Sequence, residues 1–260
     1  MRKYLTMFSS YLKQAMAYRS DALVGAALSL VTVLMSYLLW SMLIPQGGTL
    51  DGFTLPEMVT YSVLCSALTP FAMNNDPIFA FSGEIRSGKF SRFLYTPVSP
   101  FGVFVCSSLA ASLPKCVFTL AASFVWGLLL SGIMAPISWG LLLQALPVLL
   151  LALVFVLLLN YLIACLSFRF TDILGVILIR STLIQFFSGS LAPLEVLFGG
   201  LPVWSPLSYL VGTPALLVMG RSSVSAATAC TVLALYSLPL LALCLTVARS
   251  SRKYYEGVGA

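Results

Sequence analysis

Few side chains in this chain of 260 residues can carry chemistry, and their spacing excludes most of it. There is no His, which removes imidazole acid–base work and His-ligated metals. Asp21, Asp51, Asp76 and Asp172 stand apart, with no DxxD or HExxH spacing. Ser is plentiful, but no base stands near it in sequence. Cys65, Cys106, Cys116, Cys165, Cys230 and Cys244 lie in or beside apolar segments and form no CxxC pair, so they read as small buried hydrophobes. What remains is charge in unusual surroundings. Glu84, Arg86, Lys89 and Arg92 alternate with Ile85, Phe90, Phe93 and Leu94. A short helix there would turn an apolar face to a bilayer and a charged face to water, with Pro97 and Pro100 ending it. It is either a solvated loop or a docking element for a soluble subunit. Arg180 lies inside an apolar run, where Arg costs about 2.5–3.5 kcal/mol on insertion scales. It either lines a path and meets an anionic group, or bonds a neighbouring helix. Glu195, just after Pro193, is either a helix N-terminal acid or a group at an outer mouth.

The elements that hold these residues are set by hydropathy. Between Lys115 and Arg169 there is no charged side chain; the whole chain is 60% hydrophobic and 8% charged, with mean hydropathy +1.01. A soluble domain has roughly 25% charged residues, and about 20 apolar residues cross a bilayer as a helix. The uncharged run holds two such lengths, with a turn near Gly132–Trp139. Six spans are expected, at 22–44, 57–75, 103–131, 139–167, 173–190 and 223–248, in a single all-α membrane domain covering 1–260. Barrel-type strand alternation is absent, and unpaired backbone in lipid leaves helices as the remaining solution. No polar stretch is long enough for a soluble catalytic domain. Residues 1–20 read as an amphipathic helix on the membrane surface, with Tyr4, Leu5, Phe8, Tyr11 and Leu12 on one face. It anchors the chain or braces a cytoplasmic partner. Segment 187–214 is too apolar for a free loop and too rich in Gly and Pro for a straight span, so it is expected to re-enter the membrane or cap a cavity. Trp204 and Tyr209 suit the outer interface.

Lys and Arg set the orientation. With the N-terminus inside, Arg2, Lys3, Lys13, Arg19, Arg86, Lys89, Arg92, Arg169, Arg249, Arg252 and Lys253 all fall inside. The outer loops 45–56 and 132–138 carry none, and 191–222 carries Arg221 alone. Lys115 snorkels to the inner surface. Both termini are then cytoplasmic. The net charge of +6 is a topology signal and gives no reason to expect nucleic acid. The spread of Arg and Lys over the first 19 positions does not fit a cleavable signal peptide.

Two of these segments resemble the signature regions of type-2 ABC transporter permeases, the membrane subunits of many bacterial exporters. The loop after the second span carries Glu84, Gly88, Leu94 and Pro97 in the family's order. The late segment carries Ser188-Gly189, Pro193-Leu194, Leu201-Pro202, Trp204 and Pro206-Leu207-Ser208-Tyr209. The first outer loop is short for the family, and Arg180 inside the fifth span departs from its pattern. The resemblance implies that 76–100 is a coupling loop seated in an ATPase subunit, with Glu84, Arg86, Gly88, Lys89, Phe90, Leu94 and Pro97 at the contact. It implies that 187–214 closes the outer end of a pathway, with Phe186, Phe187, Gly189, Pro193, Glu195, Pro202, Trp204, Pro206 and Tyr209 there and Arg180 along it. It further implies a complex of two permeases, identical or paralogous, and two ATPases in a bacterial cytoplasmic membrane. The chain has no G-x-x-x-x-G-K-[ST] motif, so ATP and Mg would be bound by the partner and this chain would hold no cofactor. Phe186, Phe187, Tyr37, Trp40 and Trp126 suggest an apolar, aromatic path for an amphiphilic or hydrophobic substrate. A channel or receptor-like protein is the alternative, and an intramembrane lipid enzyme a remoter one.

Overall fold

In the computed structural model the described residues are 2–17, 19–44, 47–96, 98–129, 134–135, 137, 139–170, 172–198 and 205–254. They fold as helices: α1 (Arg2–Ala17), α2 (Arg19–Leu43), α3 (Leu55–Met73), α4 (Asp76–Arg86), α5 (Arg92–Tyr95), α6 (Pro100–Leu129), α7 (Trp139–Cys165), α8 (Leu174–Phe187), α9 (Leu194–Phe198), α10 (Gly212–Met219) and α11 (Ala226–Tyr254). Short 3₁₀ turns cover Lys89–Ser91 and Leu166–Phe168. Among the described residues, four stretches are long and apolar enough to cross a bilayer: Leu23–Leu43, Pro100–Ser123, Gly140–Phe168 and Ala226–Val247. They belong to α2, α6, α7 and α11 and overlap four of the expected spans.

The other two expected spans differ for opposite reasons. α3 carries Glu57, Thr60, Tyr61, Ser62, Ser66 and Thr69 and buries a face of the bundle instead of meeting lipid all round; Met58, Val59, Thr60 and Tyr61 are buried in succession. Thr60, Ser62 and Thr69 donate to carbonyls of α3 itself, one turn back, and the Thr60 hydroxyl also accepts the Ala135 amide at 2.9 Å. α8 has 14 residues, about 21 Å at helical rise, against a hydrocarbon core of about 30 Å. Its apolar run stops at Phe187, where Ser188 caps it and Gly189 turns the chain at φ +76°.

Buried side chains form two clusters. One gathers Trp40, Met58, Tyr61, Phe155, Tyr209 and Val211 from α2, α3, α7 and the turn before α10. The other gathers Ile78, Phe81, Phe90, Phe104 and Tyr161 from α4, the following 3₁₀ turn, α6 and α7. α1 lies along the start of α6. Tyr4 rests on Gly102, where a Cβ would come within 2.5 Å of its ring, and the Tyr4 hydroxyl accepts the Ser99 N–H at 3.2 Å. α1 is thus packed on protein as well as amphipathic.

Candidate functional site

The segment 76–96 forms a foot in which α4 is followed by a 3₁₀ turn and α5. Asn75 caps α4, Pro77 sits in its first turn, and Gly88 ends it at φ +75°, with the Ser87 and Gly88 amides donating to Gly83 and Ile85 carbonyls. The expected helix at 84–97 is therefore replaced by α4, a left-handed corner and the single turn of α5. Glycine breaks the helix before either proline can. The spacing Gly83…Gly88-Lys89 imitates a phosphate loop, but Phe90 stands where the hydroxyl is needed. The run also leaves a helix C-terminus instead of entering an N-terminus.

The apolar side of the foot meets protein, not lipid. Phe81 stands edge-on to Phe104 at 5.4 Å and tilted to Tyr161 at 5.7 Å. Phe90 contacts Phe168 at 4.9 Å and Phe93 at 5.2 Å. Such ring pairs contribute about 0.5–1.5 kcal/mol each beyond burial. Ser167 adds a hydroxyl bond to Ser82 at 2.7 Å. Phe90 is 2% exposed, so it fastens the foot and offers no surface to a partner. The outward side carries Gly83, Arg86, Lys89 and Arg92, with Glu84 half-buried. Arg92 bonds Glu84 at 2.6 Å and stacks on Phe93 at 4.9 Å. Tyr95 is 86% exposed at the tip. Sequence reasoning passed over Tyr95, although an aromatic between charged residues and a proline was the available signal. The Leu94 backbone lies in α5, and Pro97 falls outside the described residues. Tyr11 of α1 reaches this side and receives a bond from Arg92; burial first, then the Glu84 carboxylate, push its phenol up.

A polar knot joins α3 to α4. The Asn74 amide donates to the Ser112 hydroxyl of α6 at 2.9 Å, and Asp76 pairs with Lys115 at 2.6 Å. Arg180 of α8, 5% exposed, donates to the Asn75 side-chain oxygen at 2.7 Å and to the Ala72 carbonyl at 2.8 Å. Of the two sequence readings, the bond to a neighbouring helix is the geometry found. Each charge-assisted bond is worth about 1.5–3 kcal/mol, enough together to offset the roughly 2.5–3.5 kcal/mol of placing Arg in an apolar span. Asp172, two turns away, instead accepts the Leu174 amide at 2.9 Å at the start of α8. On either side of the Asp76–Lys115 pair lies an open cleft. One of about 530 Å³ is bordered by Tyr11, Glu84, Arg92 and Ala111. The other, of about 470 Å³, has walls of Val24, Leu28, Met73 and Phe79.

At the far end of α3 the chain closes on backbone contacts. The Tyr61 hydroxyl donates to the Gly189 carbonyl at 2.5 Å, and the Gly212 amide donates to the Ser188 carbonyl at 2.7 Å. A Cβ on Gly212 would meet that carbonyl and the Tyr61 hydroxyl at 2.8 Å. α10 is buried along Gly212–Val218 and ends at Gly220, φ +69°, with the Arg221 amide returning to the Leu216 carbonyl. Arg221 pairs with Glu57 at 2.6 Å, and Glu195 accepts the Ser223 hydroxyl at 2.5 Å. Pro193 is buried and Pro206 half-buried. Tyr209 is fully buried, not at an interface as expected: the segment folds back into the bundle, so the residue that composition assigns to headgroups becomes core. Trp40 is likewise buried, at 4% exposure, and is not on an open path. Phe186 and Phe187 are exposed on α8. Pro202 and Trp204 lie outside the described residues.

A family model described as "ABC-2 family transporter protein" matches residues 30–258. No curated protein and no solved structure matches the chain. The match runs from within α2 to beyond the end of α11 and takes in the foot, the polar knot and the glycine closure. With helices able to cross a bilayer several times, the chain belongs to the ABC-2 transporter family and is a multi-pass membrane transport subunit of a kind that works with an ATPase.

Proposed function

We propose that the chain is the permease of an ATP-driven exporter of the bacterial cytoplasmic membrane, with six crossings and both termini cytoplasmic. In this reading α3 and α8 complete the six, and α9–α10 form the re-entrant outer closure. The foot at 76–96 sits in a cleft of a separate ATPase that binds ATP and Mg. Two permeases, identical or paralogous, and two ATPases make the working unit. ATP binding draws the ATPases together, the foot follows, and the site shifts between inward and outward populations by differential binding in the two states.

The observation that carries the reading is the foot itself. Its apolar side is locked into an aromatic cluster, while its other side presents Arg86, Lys89, Arg92 and an 86% exposed Tyr95. A surface loop without a partner has no use for such rigid backing or for an aromatic at its tip. An amphiphilic or hydrophobic substrate is supported by the 470 Å³ cleft, where Val24, Leu28, Met73 and Phe79 stand beside the Asp76–Lys115 pair, and by Phe186 and Phe187 exposed on α8.

The test is co-purification with the ATPase. Glu84→Arg with Tyr95→Asp should abolish capture while leaving membrane abundance and thermal midpoint unchanged. Capture at the level of the unsubstituted protein would refute the docking role. Ion conduction or lipid turnover by the protein alone in liposomes would favour the channel or enzyme alternatives.

A further inference from the structure

α8 is tied to α3 by polar bonds at two heights. At one, Arg180 spans the Ala72 carbonyl and the Asn75 side chain, and Asn75 in turn donates to the Ser181 hydroxyl at 3.1 Å. At the other, Tyr61 holds the Gly189 carbonyl. Tyr61 to Ala72 is about 16 Å along α3, and Arg180 to the end of α8 at Phe187 is about 10 Å at 1.5 Å per residue, with Gly189 two residues beyond, so the two ties run in opposite sequence order on antiparallel segments. Along its whole length α8 buries only Ile177, Arg180 and Ile184. A leucine would pack this narrow stripe without any desolvation cost. What arginine adds is reach: it holds one of the carbonyls that a helix end leaves unpaired, at the place where α3 hands over to α4.

We infer that Arg180 is a positioning residue that makes α3 and α8 move as one strut, carrying displacement of the foot at 76–96 to the closure around Gly189 and Gly212. This rests on the permease reading above. The knot has the makings of a two-state joint. Arg180 Nε and Asn160 Oδ1 are both buried without partners, and Asn160 bonds the Asn74 carbonyl of the same junction at 3.5 Å. A network with a donor and an acceptor to spare can re-pair when α4 shifts. Coupling between two ends needs such an element, biased from both.

The experiment uses the permease–ATPase complex in nanodiscs, with Leu191→Cys as reporter in a Cys106→Ala, Cys230→Ala background. The probe is a membrane-impermeant maleimide, and its labelling rate is compared without nucleotide and after trapping with ATP and orthovanadate. The unsubstituted protein should show a ratio of about fivefold or more, the low end of coupling between sites. Arg180→Met should bring the ratio to one while ATPase capture and basal hydrolysis persist, and Arg180→Lys, which keeps a donor near the Ala72 carbonyl, should recover part of it. Asn75→Ala leaves α8 unaltered and should also collapse the ratio, so it decides the matter if Arg180→Met fails to accumulate. A normal ratio in Arg180→Met, or in Asn75→Ala where Arg180→Met fails to accumulate, overturns the strut alone. A ratio of one in the unsubstituted complex, or no captured ATPase, overturns the permease reading and the strut with it.

Discussion

The two regions that flank α3 are held by different chemistry. Near α4, large rings interlock: Phe81, Phe90, Phe104, Phe168 and Tyr161 come from five separate elements. Near α10, contact runs through glycine and backbone: Gly189, Gly212, Ser188 and one tyrosine hydroxyl. Interlocked rings resist sliding because any shift opens voids that the neighbours cannot fill. The backbone bond from Gly212 to Ser188 loses little side-chain packing when it parts. The foot is therefore built to move as a rigid piece, and the closure is built to separate. That division suits a machine driven at one end and gated at the other.

The largest expected effect tests the rigid end. Phe90→Ala removes a ring at the centre of the aromatic cluster and should cost about 3–5 kcal/mol, read as a lowered unfolding midpoint in detergent and faster trypsin cleavage at Arg86 and Lys89. A loss below about 1 kcal/mol would show that the cluster is not the fastening.

Next in size is the closure. Gly212→Ala drives a methyl against the Ser188 carbonyl and the Tyr61 hydroxyl, both at 2.8 Å. Overpacking of this kind costs about 1–3 kcal/mol and should raise maleimide labelling near Leu191. Gly83→Ala is the control at the other end. No atom lies within 4 Å of the added methyl, and alanine in mid-helix should stabilise by about 0.5–1 kcal/mol. Equal effects at the two glycines would erase the contrast between the ends.

Much of the architecture is legible in the sequence, and the features that are not share a cause. α2, α6, α7 and α11 carry stretches long and apolar enough to cross a bilayer, and hydropathy reports such stretches directly. α3 meets protein, so its serines and threonines dilute the signal that a span should give. An apolar side chain declares itself buried without saying in what: Phe90 and Tyr209 were each assigned to a membrane face and are both core. The broken character of 187–214 was visible in its glycines and prolines, because those residues act locally. The partners of Arg180 were not visible, since Ala72 and Asn75 lie more than a hundred positions away and only the fold brings them near. Gly88 was counted as a contact residue, yet its left-handed φ makes it the corner that ends α4.

A smaller effect concerns the brace on the foot. Gly102→Ala would place a methyl 2.5 Å from the Tyr4 ring. The ring can swing away, so the cost should stay near 1 kcal/mol, the lower limit for added bulk in a packed site. Proteolysis within α1 should nevertheless rise several-fold, since a cost of that size shifts the local equilibrium by about fivefold.

The smallest effect is electrostatic and separates the foot's surface from its backing. Arg92 is half-exposed and its pair with Glu84 should contribute only about 0.2–1 kcal/mol, so Arg92→Ala should barely move the unfolding midpoint. It should instead move a titration. The Tyr11 phenol stands above its ordinary 10.0 because of burial and Glu84, with Arg92 opposing. Arg92→Ala removes the opposing charge and should push it further up, whereas Glu84→Gln should bring it down. A phenol raised in the folded state keeps its proton while the unfolded chain loses it. Stability from this group is therefore unchanged below about pH 10 and falls as pH rises beyond it. Tyrosinate difference absorbance against Tyr11→Phe reads both shifts. Opposite shifts with an unmoved midpoint would show that the charged skin can be retuned for a partner without loosening the rings beneath it, whereas a falling midpoint would make skin and backing one unit.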